Sequence, residues 1–128
     1  MGKLSKEKGK RFERKVTHLF HNYGYEAHRS AQYKGNTGQV GDIEGVPFIH
    51  IEAKHQERMN LYDWMEQSTH DATAEDKGNL PVVIHKGNHK PVLVTMLFED
   101  WIKLYREYVF GMYTKDQEKL NSFQERRR

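Results

Sequence analysis

Residues 40–54, VGDIEGVPFIHIEAK, constrain the fold of this chain more than any other stretch. Two short apolar runs flank Gly45-Val46-Pro47, and such a segment between apolar runs is typical of a turn that joins paired strands. We therefore predict a β-hairpin with strands at 40–44 and 48–54. Both strands also carry charged side chains, and these need an explanation because charges in apolar strands usually face solvent or lie at a strand end.

The charged side chains of the hairpin are predicted to converge. Side chains two residues apart on a strand leave the same face, so the second strand has a polar face formed by His50, Glu52 and Lys54. Pairing of the two strands brings Asp42 across from Glu52. Two other Glu-x-Lys triplets lie outside the predicted strands, so the same convergence is not expected there.

Two facing carboxylates repel each other unless a proton or a cation lies between them. Their oxygens suit a hard cation such as Mg²⁺, for which we expect Mn²⁺ to substitute. The cation would activate water and stabilise charge on a phosphoryl oxygen, and a lysine such as Lys54 would orient or help deprotonate the water. These residue types suit phosphodiester hydrolysis. The alternative is a solvent-facing ion pair between Glu52 and Lys54 at a sheet edge.

Hydrophobic periodicity and turn residues divide the rest of the chain into helices and strands. An amphipathic helix is predicted over 5–23, and another after Asn60, which is a suitable N-cap. The remaining predicted elements are strands at 24–32, 80–87 and 90–97 and a last helix near 98–110. The order αβββαββα indicates an α/β fold, with a mixed β-sheet flanked by helices.

The chain of 128 residues is predicted to form one domain over 1–113, followed by a polar, basic tail at 114–128 that is frayed or extended. No apolar run approaches the roughly 20 residues that span a bilayer, so we expect no membrane association. There is no cysteine, which excludes disulfides and thiolate metal sites. The first residues lack the apolar core of a secretory signal, and we expect a cytoplasmic location.

Charge is unevenly distributed. Residues 1–15 carry seven Lys/Arg and two Asp/Glu, whereas residues 42–76 carry nine Asp/Glu and two Lys/Arg. This division favours a protein that grips a polyanion while holding cations, although ordinary solvated faces remain the alternative. Lys10 and Arg11 are candidate DNA contacts in the basic segment, and Lys34 is another in the glycine-rich loop YKGNTGQ.

Eight histidines raise the alternative of a zinc site. The pairs His18/His21 and His85/His89 have tolerable spacing. Neither pair has an evident third ligand, so zinc is not expected.

Four segments together resemble the PD-(D/E)xK nuclease superfamily. They are GKRFERKV on the first helix, HRSA at a strand end, GD in the hairpin and IEAK on the next strand. Within the superfamily the chain is most similar to archaeal-type Holliday-junction resolvases and their small phage-encoded relatives. The resemblance runs from about residue 9 to residue 105 and implies a restriction-endonuclease-like sheet. One departure is that Gly41, not proline, precedes Asp42.

The resemblance implies roles for individual residues. Asp42 and Glu52 would be metal ligands assisted by the Ala53 carbonyl, and Lys54 would be the catalytic lysine. Glu13 would be the first-helix carboxylate near the metal. The other residues implied as active-site or DNA contacts are Arg29, Ser30 and Gln67, the last on the following helix.

The resemblance further implies a Mg²⁺-dependent endodeoxyribonuclease that acts as a homodimer on branched or four-way-junction DNA. A phage-encoded enzyme would act in the host cytoplasm. Two alternatives stay open, a non-catalytic DNA-binding protein on the same fold and a nuclease for linear duplex or flap DNA. The apolar residues expected to supply a dimer interface are Trp64, the strands PVVIH and PVLVTML, and Trp101, Tyr105 and Tyr108 of the last helix.

Overall fold

A computed structural model of the chain describes residues 2–31 and 40–127. Its elements follow one another in the predicted order αβββαββα, which confirms the α/β fold class. In chain order they are α1 Gly2–Asn22, β1 His28–Arg29, β2 Ile43–Glu44, β3 Ile49–His55, α2 Leu61–Glu75, β4 Leu80–Lys86, β5 Leu93–Met96 and α3 Phe98–Arg127. The glycine-rich loop that holds Lys34 lies outside the described residues.

The five strands form one mixed sheet in the order β1-β2-β3-β4-β5. The pairs β1/β2, β2/β3 and β4/β5 are antiparallel, whereas β3 and β4 run parallel. A parallel pair requires a crossover connection, and α2 supplies it. Because β3 has a neighbour on each side, it is the central strand and holds the hairpin residues in the middle of the sheet.

Helices cover both faces of the sheet, and this explains the buried residues of β3 and β4. Phe12 and Val16 of α1 belong to one hydrophobic cluster with Ile51 and Ala53 of β3. A second cluster contains Trp64, Met65 and Val83, from α2 and β4. Strands covered on both faces are apolar almost throughout, so a polar residue in their middle is buried as well.

The chain divides into two compact units, Met1–Leu97 and Phe98–Arg128. The first contains the sheet with α1 and α2, and the second contains α3. The prediction that residues 114–128 are frayed or extended is wrong, because α3 continues as a helix to Arg127. Gly111 does not end it, since one glycine costs a helix only about 1 kcal/mol and the following Met, Lys, Gln, Glu and Leu residues favour helix.

Two other expectations differ from the structure. The strands predicted over 24–32 and 40–44 are reduced to His28–Arg29 and Ile43–Glu44, which pair with each other, and Asp42 lies just before the second of them. Trp64 and the middle of β4 are buried in the core, so they are not available for a dimer interface. Among the residues that the structure describes, no helix has the length and apolar content needed to cross a membrane.

Candidate active site

The β2–β3 hairpin places Asp42 opposite Glu52. Ile43 pairs with Ile51 in the antiparallel register, so the next pair along the ladder is Asp42 and Glu52. Hydrogen bonds to β3 hold both the backbone and the side chain of Asp42. The Asp42 N–H donates to the Ile51 carbonyl (2.8 Å), and Asp42 Oδ2 accepts from the Ala53 N–H (2.8 Å). The backbone of β3 therefore orients the Asp42 carboxylate.

Neighbouring loops hold the same strand end. The Ser30 N–H donates to the Asp42 carbonyl (3.0 Å), and the Ser30 hydroxyl donates to the Gly41 carbonyl. Gly41 packs directly on β3, where an added Cβ would lie 2.6 Å from the Ile51 carbonyl oxygen. The absence of a side chain at Gly41 lets the strand that carries Asp42 approach the strand that carries Glu52.

The Asp42 carboxyl resists ionisation in this position. Burial, followed by the charge of Glu52, raises its pKa from 3.8 to about 7, while the Ala53 N–H and the charge of Lys54 act in the opposite direction. Glu52 is only 5% exposed. Two largely buried carboxylates in contact require a proton or a cation, and the raised pKa of Asp42 expresses that requirement.

A third carboxylate, Glu13 of α1, lies near this pair. Arg29 Nε donates to Glu13 Oε2 at 2.8 Å. Burial raises the pKa of Glu13 and the charge of Asp42 adds to the rise, whereas the hydrogen bond from Arg29 lowers it. Glu13 is therefore not simply a solvated helix residue, because an arginine from β1 holds it and Asp42 is close enough to affect its ionisation.

An open cleft of about 620 Å³ brings most of the predicted residues together. Its lining includes seven of the residues singled out from the sequence: Lys10, Glu13, Arg29, Ser30, Asp42, Glu52 and Gln67. Lys6 lies one helical turn before Lys10 and also lines it. Arg11, Ala53 and Lys54 are not part of the lining, and Lys34 lies outside the described residues. The cleft thus has an acidic floor and a basic rim.

The structure does not contain the predicted alternative of a Glu52–Lys54 ion pair. Glu52 pairs instead with His50, whose Nε2 lies 3.0 Å from Glu52 Oε1. Lys54 is near the end of β3, and its positive charge acts on Asp42. This places Lys54 beside the acidic pair without binding it into a fixed contact with Glu52.

The sequence did not indicate Asp71 as a residue of the site, and it did not indicate the burial of His50. Asp71 of α2 lines the cleft and is buried, and with His50 and Glu52 it forms a group whose possible ligand atoms lie within 4.8 Å of one another. Asp71 follows Gln67 by one helical turn, and this spacing was the signal available in the sequence. His50, expected on a polar face, is buried, because α2 covers this face of β3.

The ionisation of His50 reflects its surroundings. Burial alone would lower the pKa of His50, but the hydrogen bond and charge of Glu52 and the charges of Glu75 and Asp71 outweigh burial and raise it. His85 and His89, whose spacing was considered for zinc, have different surroundings. His85 is buried, with Nε2 2.8 Å from Thr95 Oγ1, whereas His89 is exposed.

The donor set of this cleft fits a divalent cation. Asp42 and Glu52 provide carboxylate oxygens, the ligands that Mg²⁺ and Mn²⁺ prefer, and they repel each other where no cation compensates them. Among the described residues, His50, Glu52 and Asp71 form the one group of three side chains whose atoms are close enough together to bind one metal ion. A cation between the two carboxylates would offset both the burial and the charge of Glu52 that raise the pKa of Asp42.

The pKa of Asp42 predicts how the stability of the cation-free protein depends on pH. Between pH 4 and pH 7 the folded protein retains a proton that the unfolded chain has released, so stability falls as pH rises through this window. The loss is at most about 4 kcal/mol. Urea unfolding in EDTA from pH 4.5 to pH 8.5 measures it. Asp42→Asn should flatten the decline, and identical pH profiles for the two proteins would contradict the assignment.

The mixed sheet thus holds Asp42, just before β2, opposite Glu52 of β3, with Lys54 two residues further along β3. The profile of the family described as "Phage putative PDDEXK endonuclease" matches residues 4–124. The chain belongs to this family of phage PD-(D/E)xK endonucleases.

A solved structure shares the fold. Archaeoglobus fulgidus Hjc, a Holliday junction resolvase from an archaeal hyperthermophile, is similar to this chain with a TM-score of 0.52 and 24% sequence identity. The similarity covers 70% of this chain and 72% of that chain. No curated protein sequence matches the chain. The similarity in structure establishes a common fold.

Proposed function

We propose that the protein is a divalent-metal-dependent endodeoxyribonuclease that hydrolyses phosphodiester bonds in branched DNA. The observation that carries the proposal is the opposed pair of Asp42 and Glu52 on the floor of a cleft with a basic rim. Membership of a phage endonuclease family supports the reaction. The fold shared with a Holliday junction resolvase supports branched DNA as the substrate class.

Asp42 and Glu52 are the proposed ligands of Mg²⁺, with the Ala53 carbonyl as a further ligand. Hydrogen bonds to the β3 backbone already orient Asp42, so little rearrangement is needed for it to bind a cation. Mn²⁺ accepts the same oxygen ligands and should support activity as well. When bound, the ion would activate a water molecule and stabilise negative charge on the phosphoryl group.

Lys54 and Glu13 are the other proposed catalytic residues. Lys54 leaves the same side of β3 as Glu52, which suits a role in orienting the attacking water or neutralising charge that develops on the phosphate. Glu13, held by Arg29, presents a third carboxylate to the cleft. A half-buried carboxylate that is oriented by a hydrogen bond can position a water molecule without moving during the reaction.

The basic rim of the cleft is the proposed DNA-binding surface. Lys6 and Lys10 follow one another by one helical turn of α1, on the side that lines the cleft. Arg29 of β1, Ser30 just after it and Gln67 of α2 line the same cleft. These residues would contact phosphates around the scissile bond, because cationic and hydroxyl groups supply most backbone contacts to DNA. Arg11 and Lys34 remain proposed contacts outside this lining.

We also propose that the active form is a homodimer. Resolution of a four-way junction needs two symmetric nicks, and a two-fold dimer supplies two identical sites. Each unit of the chain exposes apolar side chains that an interface could cover. The edge strand β5 exposes Leu93 and Val94. Separately, α3 exposes Trp101 and Tyr105, whose rings stack with centroids 5.1 Å apart.

Cleavage of matched DNA substrates tests the proposed function. Labelled four-way junction, flap and linear duplex of equal length should be incubated with the protein in Mg²⁺, in Mn²⁺ and in EDTA. We expect cleavage with either cation, none in EDTA, tighter binding of the junction than of the duplex, and paired nicks on opposing strands. Light scattering at micromolar protein concentration should give the mass of a dimer.

The same experiment separates the alternatives. A strict monomer that cuts duplex as readily as junctions would contradict the resolvase function and leave a nuclease for linear DNA. Preferential cleavage of flaps would indicate a flap nuclease. Binding of DNA with no cleavage under any cation would favour the non-catalytic DNA-binding protein.

The protein is expected to meet its substrate in the cytoplasm, that of the host if the chain is phage-encoded.

A further inference from the structure

His50 lies beside Glu52, and the proposed reaction gives it no role. It lies two residues before Glu52 on β3, so both side chains leave the same face of the strand. The residue is 3% exposed, and its Nε2 lies 3.0 Å from Glu52 Oε1. This ring therefore occupies one of the two oxygens of a proposed metal ligand.

The opposite side of the His50 ring faces a second carboxylate. His50 Nδ1 lies 3.5 Å from Glu75 Oε2, at the C-terminal end of α2. The Glu75 side chain is 13% exposed. Glu75 is in turn 3.6 Å from Lys77 Nζ, measured at Oε1. A series of contacts thus connects Glu52 through His50 to the end of α2 and to the surface.

We propose that His50, supported by Glu75, is a positioning residue that holds the Glu52 carboxylate in the orientation in which it faces Asp42 and binds the metal. The inference rests on the proposed metal-dependent function. A carboxylate has a terminal torsion that is broad and poorly defined, so a fixed hydrogen bond to one oxygen determines where the other oxygen points. His50 engages Oε1, so Oε2 is the oxygen that we expect to bind the cation.

The rigid surroundings of His50 suit this role. Its strand is central in the sheet, and Ile51 beside it is completely buried. A ring packed in this way cannot follow a moving carboxylate, so the carboxylate must adapt to the ring. Partners of this kind typically change metal affinity or activity by about 10- to 100-fold when they are removed.

Mn²⁺ affinity, measured by titration calorimetry on the protein without DNA, tests the proposal. His50→Leu removes the hydrogen bond and should weaken Mn²⁺ binding by about 10- to 100-fold. His50→Gln retains an N–H near the position of Nε2 and should bind Mn²⁺ within about threefold of the parent, whereas His50→Asn is too short and should resemble His50→Leu. Recovery with Gln but not Asn is not expected from a merely structural role.

His85→Leu is the matched control, since His85 is also a buried strand histidine but bonds Thr95 and no carboxylate. It should bind Mn²⁺ like the parent. If His50→Leu does not fold, Glu75→Gln provides the test. Glu75→Gln should weaken Mn²⁺ binding by a smaller factor than His50→Leu. An unchanged Mn²⁺ affinity would overturn the role of Glu75 and His50. Circular dichroism identifies variants that have not folded.

Three results would overturn the proposal in distinguishable ways. Equal Mn²⁺ affinity of the parent, His50→Leu and His50→Asn would remove the positioning role and leave the proposed function intact. A parent protein that binds no Mn²⁺ would contradict the metal-dependent function itself, and the positioning role with it. A stoichiometry that falls by one ion in His50→Gln would show that His50 is itself a metal ligand.

Discussion

Glu52→Gln is expected to abolish cleavage while DNA binding is retained or becomes tighter. The substitution removes one charge with little change of shape, and it leaves Asp42 as the only carboxylate of the opposed pair. Loss of a metal ligand should cost several kcal/mol of transition-state stabilisation, which corresponds to about a 10³-fold or greater fall in rate. A neutral side chain facing phosphate also removes a repulsion that opposes DNA binding.

Single-turnover cleavage of a labelled junction in Mg²⁺ measures this effect, and a gel-shift titration in EDTA measures binding. Glu44→Gln is the matched control, because Glu44 lies on the neighbouring strand β2, outside the lining of the cleft, and pairs with His28. It should cleave at the parent rate. Equal activity of Glu52→Gln and the parent would refute the active-site assignment.

Lys54→Ala separates catalysis from metal binding at the same site. Both carboxylates remain, so Mn²⁺ should still bind, whereas cleavage should be lost because the ammonium group that would orient the water or neutralise charge is removed. Lost folding would instead indicate a structural ion pair. This outcome is not expected, because Glu52 pairs with His50 rather than with Lys54.

The second large effect is expected at Gly41. This residue cannot bind the metal through a side chain, but it packs against the backbone of β3. A Cβ at this position would lie 2.6 Å from the Ile51 carbonyl oxygen and 3.1 Å from the Ile51 nitrogen. Both are backbone atoms of the central strand and cannot move aside. Gly41→Ala should therefore destabilise the protein by about 1–3 kcal/mol and displace Asp42, with loss of cleavage.

Gly41→Pro is the more informative variant, because it introduces the proline that the resemblance to the PD-(D/E)xK superfamily implies before Asp42. Its Cβ meets the same Ile51 atoms, so we expect it to be at least as damaging as Gly41→Ala. Urea unfolding monitored by circular dichroism measures the stability. In Gly9→Ala, the stability control on α1, a Cβ meets nothing within 4 Å and stability should be unchanged or slightly higher. Full activity of Gly41→Pro would show that the strands can separate without harm.

The local arrangement of the site was predictable because it depends on side-chain patterns that repeat every few residues along a strand or helix. The alternation of side chains on β3 predicts a common face for His50, Glu52 and Lys54, and the turn at Gly45 predicts the register that brings Asp42 opposite Glu52. The structure has this register. The order αβββαββα follows from the same periodicities together with their turn residues.

Contacts between distant parts of the chain were not predictable in this way. No regular spacing in the sequence predicts the contact of Glu13 with Arg29 or of His50 with Glu75. Packing of α1 and α2 on the sheet creates these contacts. The helix predicted near 98–110 extends to Arg127 for another reason. The polar composition of residues 114–128 suggests a frayed tail, although its residues individually favour helix.

The sequence by itself determined the elements, their order and the polar face of the hairpin, since each depends on residues a few positions apart. Only the tertiary structure decided which of these charges are buried and what they contact. His50 and Glu52 became buried because β3 is central and both its faces are covered by helices. Burial is the largest contribution to the raised pKa of Asp42, and it exists only where distant segments have excluded water from the pair.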